Sequence, residues 1–422
     1  MKLIEIKKED YNSLTRNHPL ASFEQTSNWA DVKRSTGWND YYLAYVDDNG
    51  QYLAFAMLLA KKMPLFKRYL FYSPHGYLID FDNNEVVKSF NEELVKYLKG
   101  KGAFELIIDP YLSYQQRDIN GNIVEGGIEH KKVVDDLIAL GYHHKGFNLY
   151  YENLQPRWLF RLPLDRPYDE LQKNFRYEVR RRIKKKDNLA IDVRELNRDE
   201  IPVFKNLMEK TADRRGFIDR PLSYYERMYD MLGRDNMLHY YVAEIDFAKC
   251  RENVLRDIEK NKTYIAKIKA RSNSKHNENV IAEEEIVLNS NLTLLKIIDE
   301  AHSEYGEKVA LSAIALLTYG EEAIMLLAGN DEKYMTHFST SYIIVTELIR
   351  KAQAEGFKYY NFYGITGDFN PDNEFYGLYT YKKQYGGEVV ELIGQFEYTI
   401  SSTFKAIYNI AKKAYNFTKS FK

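Results

Sequence analysis

The feature that most constrains this chain is an alternation of strand-like and helix-like segments that runs through its first 150 residues and then begins again. In the first run, Tyr41 to Tyr45, Leu53 to Leu59 and Phe104 to Ile108 read as strands, and Asn84 to Lys99 reads as an amphipathic helix. In the second, strands are expected at Trp158 to Leu162, Ala190 to Val193, His239 to Glu244, Val309 to Leu317, Ala323 to Leu327 and Tyr359 to Tyr363. Helices are expected at Asp169 to Lys186, Glu200 to Arg215 and Tyr342 to Glu355. Two successive units of similar size, each a mixed sheet flanked by helices, predict a duplicated α/β fold with α+β-type mixed sheets. At 422 residues and 45% hydrophobic, the chain is larger than a single core usually accommodates.

Residues 247 to 306 interrupt the second unit and contain no proline, and no glycine until Gly306. They split at Ser272 to Asn279 into two helical halves, which predicts a hairpin. Val254, Ile258, Ile265 and Ile268 approximate a heptad seam in the first half, and Leu288, Leu292, Leu295 and Ile298 in the second. Each half, roughly 25 residues, would be about 35 to 40 Å long and project from the body. The first half is basic and the second begins acidic at Glu283, Glu284 and Glu285. Pairing of solvated faces and contact with RNA both fit that pattern. The resulting division is 1–150, 151–246, the antiparallel coiled-coil arm 247–306, 307–395, and a C-terminal basic amphipathic helix over 396–422.

Formal net charge is −1, so a nucleic-acid partner has to be met by a local patch. The densest patch is Lys173, Arg176, Arg180, Arg181, Arg182, Lys184, Lys185 and Lys186, all within one predicted helix. It fits phosphates, of a tRNA backbone or of a lipid-linked pyrophosphate, or else a solvated helix end. The tail from Ser401 spaces Phe404, Ile407, Tyr408, Ala411, Tyr415 and Phe421 helically among five lysines and no acid. Such a segment suits an anionic lipid surface or a terminal helix packed on the body. Cys250 is the only cysteine, and no apolar run reaches membrane length, so a cytosolic protein is expected. There is no G-x-S-x-G, HExxH or P-loop. Chemistry here has to come from positioning and electrostatics.

Several stretches together resemble the Fem family, whose members extend the peptide bridge of peptidoglycan from aminoacyl-tRNA. They are Phe23-Glu-Gln25-Thr26-Ser-Asn-Trp29-Ala-Asp-Val-Lys33, Ile108-Asp109-Pro110-Tyr111, the basic block, Asp213-Arg214-Arg215-Gly216-Phe217 with Arg220-Pro-Leu-Ser-Tyr224-Tyr225, the helical insertion, Asn361 to Phe369, and Gly377 to Tyr385. Their order covers nearly the whole chain. Many relatives have Gly-Pro where Gly76-Tyr77 stands, and aromatics where Leu326-Leu327 precede Ala328-Gly329.

The resemblance implies tandem acetyltransferase-like (GNAT-related) domains and a transferase that adds glycine, alanine or serine to lipid II or to bridge-primed lipid II. It implies Lys382 as the group stabilising the tetrahedral oxygen and protonating the leaving ribose hydroxyl, and Asp109 as the carboxylate that orients or deprotonates the acceptor amine. Lys33, Arg220 and Tyr224 match positions that hold the substrate's phosphates. Lys383 is the neighbouring substrate-binding candidate; if the segment is a strand, it and Lys382 face opposite sides. Arg180, Arg181, Arg182 and Lys184 are the tRNA or phosphate contacts. No metal and no cofactor is implied, since the tRNA is a substrate. The expected setting is the inner face of the membrane, peripherally, with a homologue as a homo- or heterodimer partner. A protein-modifying aminoacyl-tRNA transferase would share the chemistry and differ only in its acceptor, and two readings of other kinds compete. One is a GNAT-type transferase using acyl-CoA, which the missing pyrophosphate loop opposes; the other is a non-enzymatic RNA- or membrane-associated adaptor, which leaves Lys382 and Arg220 unexplained.

Overall fold

The computed structural model describes residues 1–271 and 274–419, with the backbone alone over 413–419. Ser272 and Asn273 of the expected hairpin turn, and Phe421 and Lys422 of the tail, lie outside the described residues.

Two eight-stranded mixed sheets form the body, flanked by helices. In spatial order the first runs Lys2–Glu5, Trp38–Val46, Tyr52–Lys62, Tyr69–Ser73, Ala103–Ile108, Phe396–Thr399 and Tyr142–His144, with Leu78–Ile79 also paired to Tyr52–Lys62. The second runs Ile191–Glu195, Leu238–Asp246, Lys308–Tyr319, Glu322–Asn330, Tyr359–Ile365, Trp158–Pro163, Glu388–Leu392 and Ser113–Gln116. Both follow the same pairing sequence: three antiparallel pairs, one parallel pair, then antiparallel pairs. A parallel pair needs a crossover connection, and helix Asn84–Gly100 supplies it in the first sheet and Thr340–Ala354 in the second. Helix Asn84–Gly100 buries Val87, Phe90, Leu94, Val95 and Leu98 at three- and four-residue spacing, and Asn83 caps its first turn by accepting from the Val86 N–H. The central run Ala54 to Ala60 is buried at every residue, because helices and loops cover both faces of that strand.

Two strands cross the division read at residue 150. Ser113–Gln116 joins the second sheet and Phe396–Thr399 returns to the first. The range 396–422 is therefore not helical throughout: it opens as a strand, and the helix runs Ser402–Lys419.

The basic block is not one helix either. It is broken into Tyr168–Asn174 and Tyr177–Ile183 by extended backbone at Phe175 and Arg176. Phe175 is buried in the core there, and the Arg176 N–H donates to the Gln384 carbonyl at 2.8 Å, so tertiary contacts overrule the helical pattern. The Lys382–Lys383 segment is the helix Tyr376–Lys383, so the two side chains diverge by a helical step and are not on opposite strand faces.

Helices Phe247–Lys269 and Lys275–Tyr305 pack antiparallel, with Arg251 paired to Asp299 at 2.8 Å and Lys269 to Glu285 at 3.0 Å across them. Val254, Ile258, Ile265, Ile268 and Ile298 are buried in the seam, whereas Leu292 is exposed.

Candidate active site

Asp109 follows directly on strand Ala103–Ile108, where the first sheet meets the second. Its Oδ2 accepts from the Tyr72 hydroxyl at 2.8 Å and its Oδ1 from the His75 backbone N–H at 2.7 Å. The carboxyl is buried, and burial pushes its pKa up to about 7 against the pull of His75 and Tyr72.

His75 has left-handed backbone, φ +53, and is followed by Gly76 at φ +75, where a side chain would strike Pro110 at 2.8 Å. This tight turn aims the imidazole inward. Its Nδ1 lies 2.6 Å from the Ser22 hydroxyl and its Nε2 lies 2.8 Å from Glu24. Burial works against the imidazolium, but the Glu24 charge and hydrogen bond outweigh it and hold the pKa above the usual histidine value. Glu24 is held by the short turn Phe23–Gln25, which Ser22 and Gln25 close as a capping box.

Glu24 Oε1 also accepts from the Tyr363 hydroxyl at 3.2 Å. Tyr363 sits at φ +64, where strand Tyr359–Ile365 slips its register against Trp158–Pro163. A bulge of this kind re-aims a side chain and leaves carbonyls without ladder partners. Lys382 satisfies two of them, donating to the Tyr363 carbonyl at 3.2 Å and the Gly364 carbonyl at 2.7 Å. Only 3% of Lys382 is exposed, and burial alone brings its pKa down to about 7. One of its three N–H groups stays uncommitted when the amine is charged.

Lys382 and Asp109 thus stand at the two ends of one chain, Asp109–His75–Glu24–Tyr363–Lys382, that bridges the two sheets. Both ionise near pH 7, so each can exchange a proton at neutral pH.

The phosphate-binding candidates converge beside this chain. Lys33 stands in the last turn of the helix Ser27–Arg34, and Asn28 of that helix ties it to the second half by donating to the Met231 carbonyl and to Asp235, both at 2.9 Å. Lys33 lies over the Trp29 ring at 4.3 Å. Its pKa is lowered by burial first, with Glu24 raising it and Arg220 lowering it further. Arg220 lies 5.5 Å from the Tyr224 ring, and Tyr224 is raised by burial while feeling both Arg220 and Glu24. Among the described residues neither Lys33 nor Arg220 has an ion-pair partner, so both charges are free for a ligand. Lys33, Trp38, Tyr72 and Gln155 line a cavity of about 590 Å³. A narrow crevice sharing Asn153, Gln155 and Gln395 continues from it to Asp109.

Other expected residues stand apart. Lys383 donates to Asn120 at 2.7 Å and lies over Tyr379, not in this cavity. Arg182 turns inward, donating to the Ser339 hydroxyl at 3.1 Å with its guanidinium 4.8 Å from the Tyr342 ring. Arg180, Arg181 and Lys184 are exposed. The segment with Ala328 borders a second cavity of about 280 Å³, which also touches Arg214, Arg215 and Tyr381, the neighbour of Lys382.

Glu24, His75, Tyr72, Gln155 and Tyr363 were not anticipated from sequence. The only local signals were the Ser-x-x-Gln cap around Glu24 and the glycine after His75.

A family model described as the FemAB family matches residues 6–413. The lipid II:glycine glycyltransferase of Staphylococcus epidermidis is 27% identical over 415 residues, covering 98% of this chain and 95% of its own. Aminoacyltransferase FemA is 30% identical over 428 residues in Staphylococcus epidermidis and over 429 residues in Staphylococcus aureus, covering 98% of this chain and 99% of theirs. Among solved structures, that of FemX superposes with a TM-score of 0.78 at 25% identity, over 96% of this chain and 99% of that one.

Proposed function

The chain belongs to the FemAB family, and on that premise we propose that it transfers glycine, alanine or serine from aminoacyl-tRNA to the stem-peptide amine of lipid II or of its bridge. The observation that carries the reading is the chain of hydrogen bonds linking a carboxyl and an amine that both ionise near pH 7, set beside two unpaired cations. Lys33, which lines the 590 Å³ cavity, holds the phosphates together with Arg220, whose charge acts on Lys33 and which lies against Tyr224.

The acceptor amine reaches Asp109 through the crevice and loses a proton to it as its nitrogen attacks the ester carbonyl. The new C–N bond forms, the ester C–O bond breaks, and the ribose oxygen leaves with a proton. Lys382, through its uncommitted N–H, stabilises the oxyanion and supplies that proton; Asp109 returns the one it took to solvent and Lys382 takes one back from solvent, which restores both groups. The ester is already activated, so the step needs no metal and no nucleotide triphosphate.

We read the two repeated sheets as tandem acetyltransferase-like domains, the paired helices 247–306 as a coiled-coil arm, and Arg180, Arg181 and Lys184 as tRNA contacts. Among the described residues no helix is long and apolar enough to cross a membrane. The protein in this reading works peripherally at the inner membrane face.

The decisive experiment offers radiolabelled glycyl-, alanyl- and seryl-tRNA to purified lipid II and to bridge-primed lipid II. Label entering the lipid fraction supports the reading and names the donor; no transfer to either acceptor ends it. Three variants sharpen it. Lys33→Ala and Arg220→Ala should each raise the KM for the lipid acceptor roughly 10- to 100-fold, by losing a charge-assisted phosphate contact of about 1.5–3 kcal/mol, while leaving the unfolding temperature unchanged. An unchanged KM would remove the phosphates from that position. Asp109→Asn should slow kcat about 100-fold or more by removing the base. Equal kcat for wild type and Asp109→Asn would leave Asp109 a purely structural group.

A further inference from the structure

The turn between strands Tyr52–Lys62 and Tyr69–Ser73 presents Leu65 at its tip. It is 98% exposed with left-handed backbone at φ +68, and its neighbour Phe66 is 40% exposed. At 98% exposure Leu65 is an apolar side chain that the packing of this chain does not use.

The C-terminal helix Ser402–Lys419 lies alongside that turn. Phe404 meets the Phe66 ring at 5.7 Å and the Arg68 guanidinium at 4.6 Å. The helix's inner face is seated on the first sheet, with Tyr408 5.1 Å from the Phe104 ring and Lys405 paired to Glu105 and Glu397. Its outer face shows Ile407 at 37% and Ile410 at 69% exposure. Leu65, Phe66, Ile407 and Ile410 therefore protrude from one edge of the molecule.

The two segments that carry them hold charges of one sign. Residues 61–68 and 402–412 contain Lys61, Lys62, Lys67, Arg68, Lys405 and Lys412 and no aspartate or glutamate. Of these six, only Lys405 is paired with a carboxylate among the described residues. Protruding apolar side chains ringed by unneutralised cations complement an anionic bilayer: the apolar groups enter the headgroup region and the lysines meet lipid phosphates.

We propose that the 61–68 turn and the outer face of the C-terminal helix together form one docking surface for an anionic lipid bilayer. Lys61, Tyr408 and Lys412 also line the cavity that holds Lys33. Docking thus sets the mouth of the substrate cleft against the membrane, where the headgroup of a lipid-anchored acceptor is presented. The bilayer contact stands on this surface alone; its role in delivering the acceptor rests on the transfer reading above.

The test uses the full chain and two kinds of vesicle, phosphatidylcholine alone and phosphatidylcholine with phosphatidylglycerol. Wild type should sediment with the phosphatidylglycerol vesicles and be released by salt. Leu65→Glu with Ile410→Glu should lower that partition at least ~10-fold, since the new carboxylates oppose both insertion and the lipid charge. Lys61→Ser and Lys62→Ser should each lower it roughly fivefold. All four side chains are exposed, so an unchanged unfolding temperature accompanies the loss. Failure of wild type to bind, or equal binding by the Leu65/Ile410 variant, overturns the proposal. In transfer assays the same double variant should match wild type with a lipid-free form of the acceptor and fall behind with the acceptor embedded in vesicles. Equal rates on the embedded acceptor would overturn the delivery role. Absence of transfer by wild type would fault the function while the vesicle result still judged the surface.

Discussion

Lys382→Ala should lower kcat for aminoacyl transfer by roughly 10²- to 10³-fold with little change in KM, the signature of an interaction made in the transition state alone. The amine is enclosed, and its fixed N–H groups cost no reorganisation when charge develops on the carbonyl oxygen. It also braces the Tyr363–Gly364 bulge, so loss of activity by itself does not separate proton transfer from support. Two further substitutions do. Lys382→Met fills the space without donors and should be as slow as alanine. Lys382→Arg keeps a charge that never titrates near neutrality. Wild type should show a bell-shaped rate profile near pH 7, rising as Asp109 loses its proton and falling as Lys382 does. The arginine variant should lose the falling limb. Wild-type kcat in Lys382→Met would make the lysine a brace and nothing more.

The same amine leaves a mark on stability. Burial sets its folded pKa near 7, below the ordinary lysine value of 10.5. Between those values the unfolded chain holds a proton that the folded chain has released, so stability rises with pH across that window. Below pH 7 both states are protonated and the contribution is constant. Urea midpoints of wild type should therefore gain on those of Lys382→Met between pH 7 and pH 9. A constant gap would contradict the burial-driven shift.

Glu391→Ala should cost about 3–5 kcal/mol of unfolding free energy, read from the urea midpoint, because it strands a buried guanidinium. The Glu391 and Arg157 side chains are 4% and 1% exposed, and they are ion-paired. Arg117 reaches the other carboxylate oxygen at 2.6 Å. Arg157 is further enclosed by the Phe147 ring at 4.9 Å and the Trp158 ring at 5.0 Å. The position explains the expense. Glu391 lies on the strand between Trp158–Pro163 and Ser113–Gln116, where the chain prepares to return to the first sheet. Glu391→Leu combined with Arg157→Met should recover most of the loss, since a buried ion pair adds little beyond an apolar pair of like size. A double variant as unstable as Glu391→Ala would mean that Arg117 or the strand geometry carries the cost.

Local pattern revealed much of this protein. Helix Asn84–Gly100 was legible because its apolar residues recur at helical spacing after a capping asparagine. Strand Tyr52–Lys62 was legible because a short apolar run has few other places to go. Lys33, Asp109, Arg220, Tyr224 and Lys382 were found through family motifs, which preserve order along the chain. Glu24 lay inside one of those motifs unremarked, since a lone glutamate beside a glutamine carries no sign of being buried.

By itself, the sequence determined the alternating elements, their duplication, the helical insertion and the basic tail, all properties of neighbouring residues and their periodicity. Only the tertiary structure decided that the basic helix breaks at Phe175, that Lys382 turns inward while Lys383 does not, and that strands from each half complete the neighbourhood of the other's sheet. It also decided the chain of hydrogen bonds from Asp109 to Lys382, which joins residues far apart in sequence. The physical reason is the same in each case. Burial and partnership set the ionisation of Asp109 and Lys382 and the direction of each side chain, and both depend on which distant segments pack there.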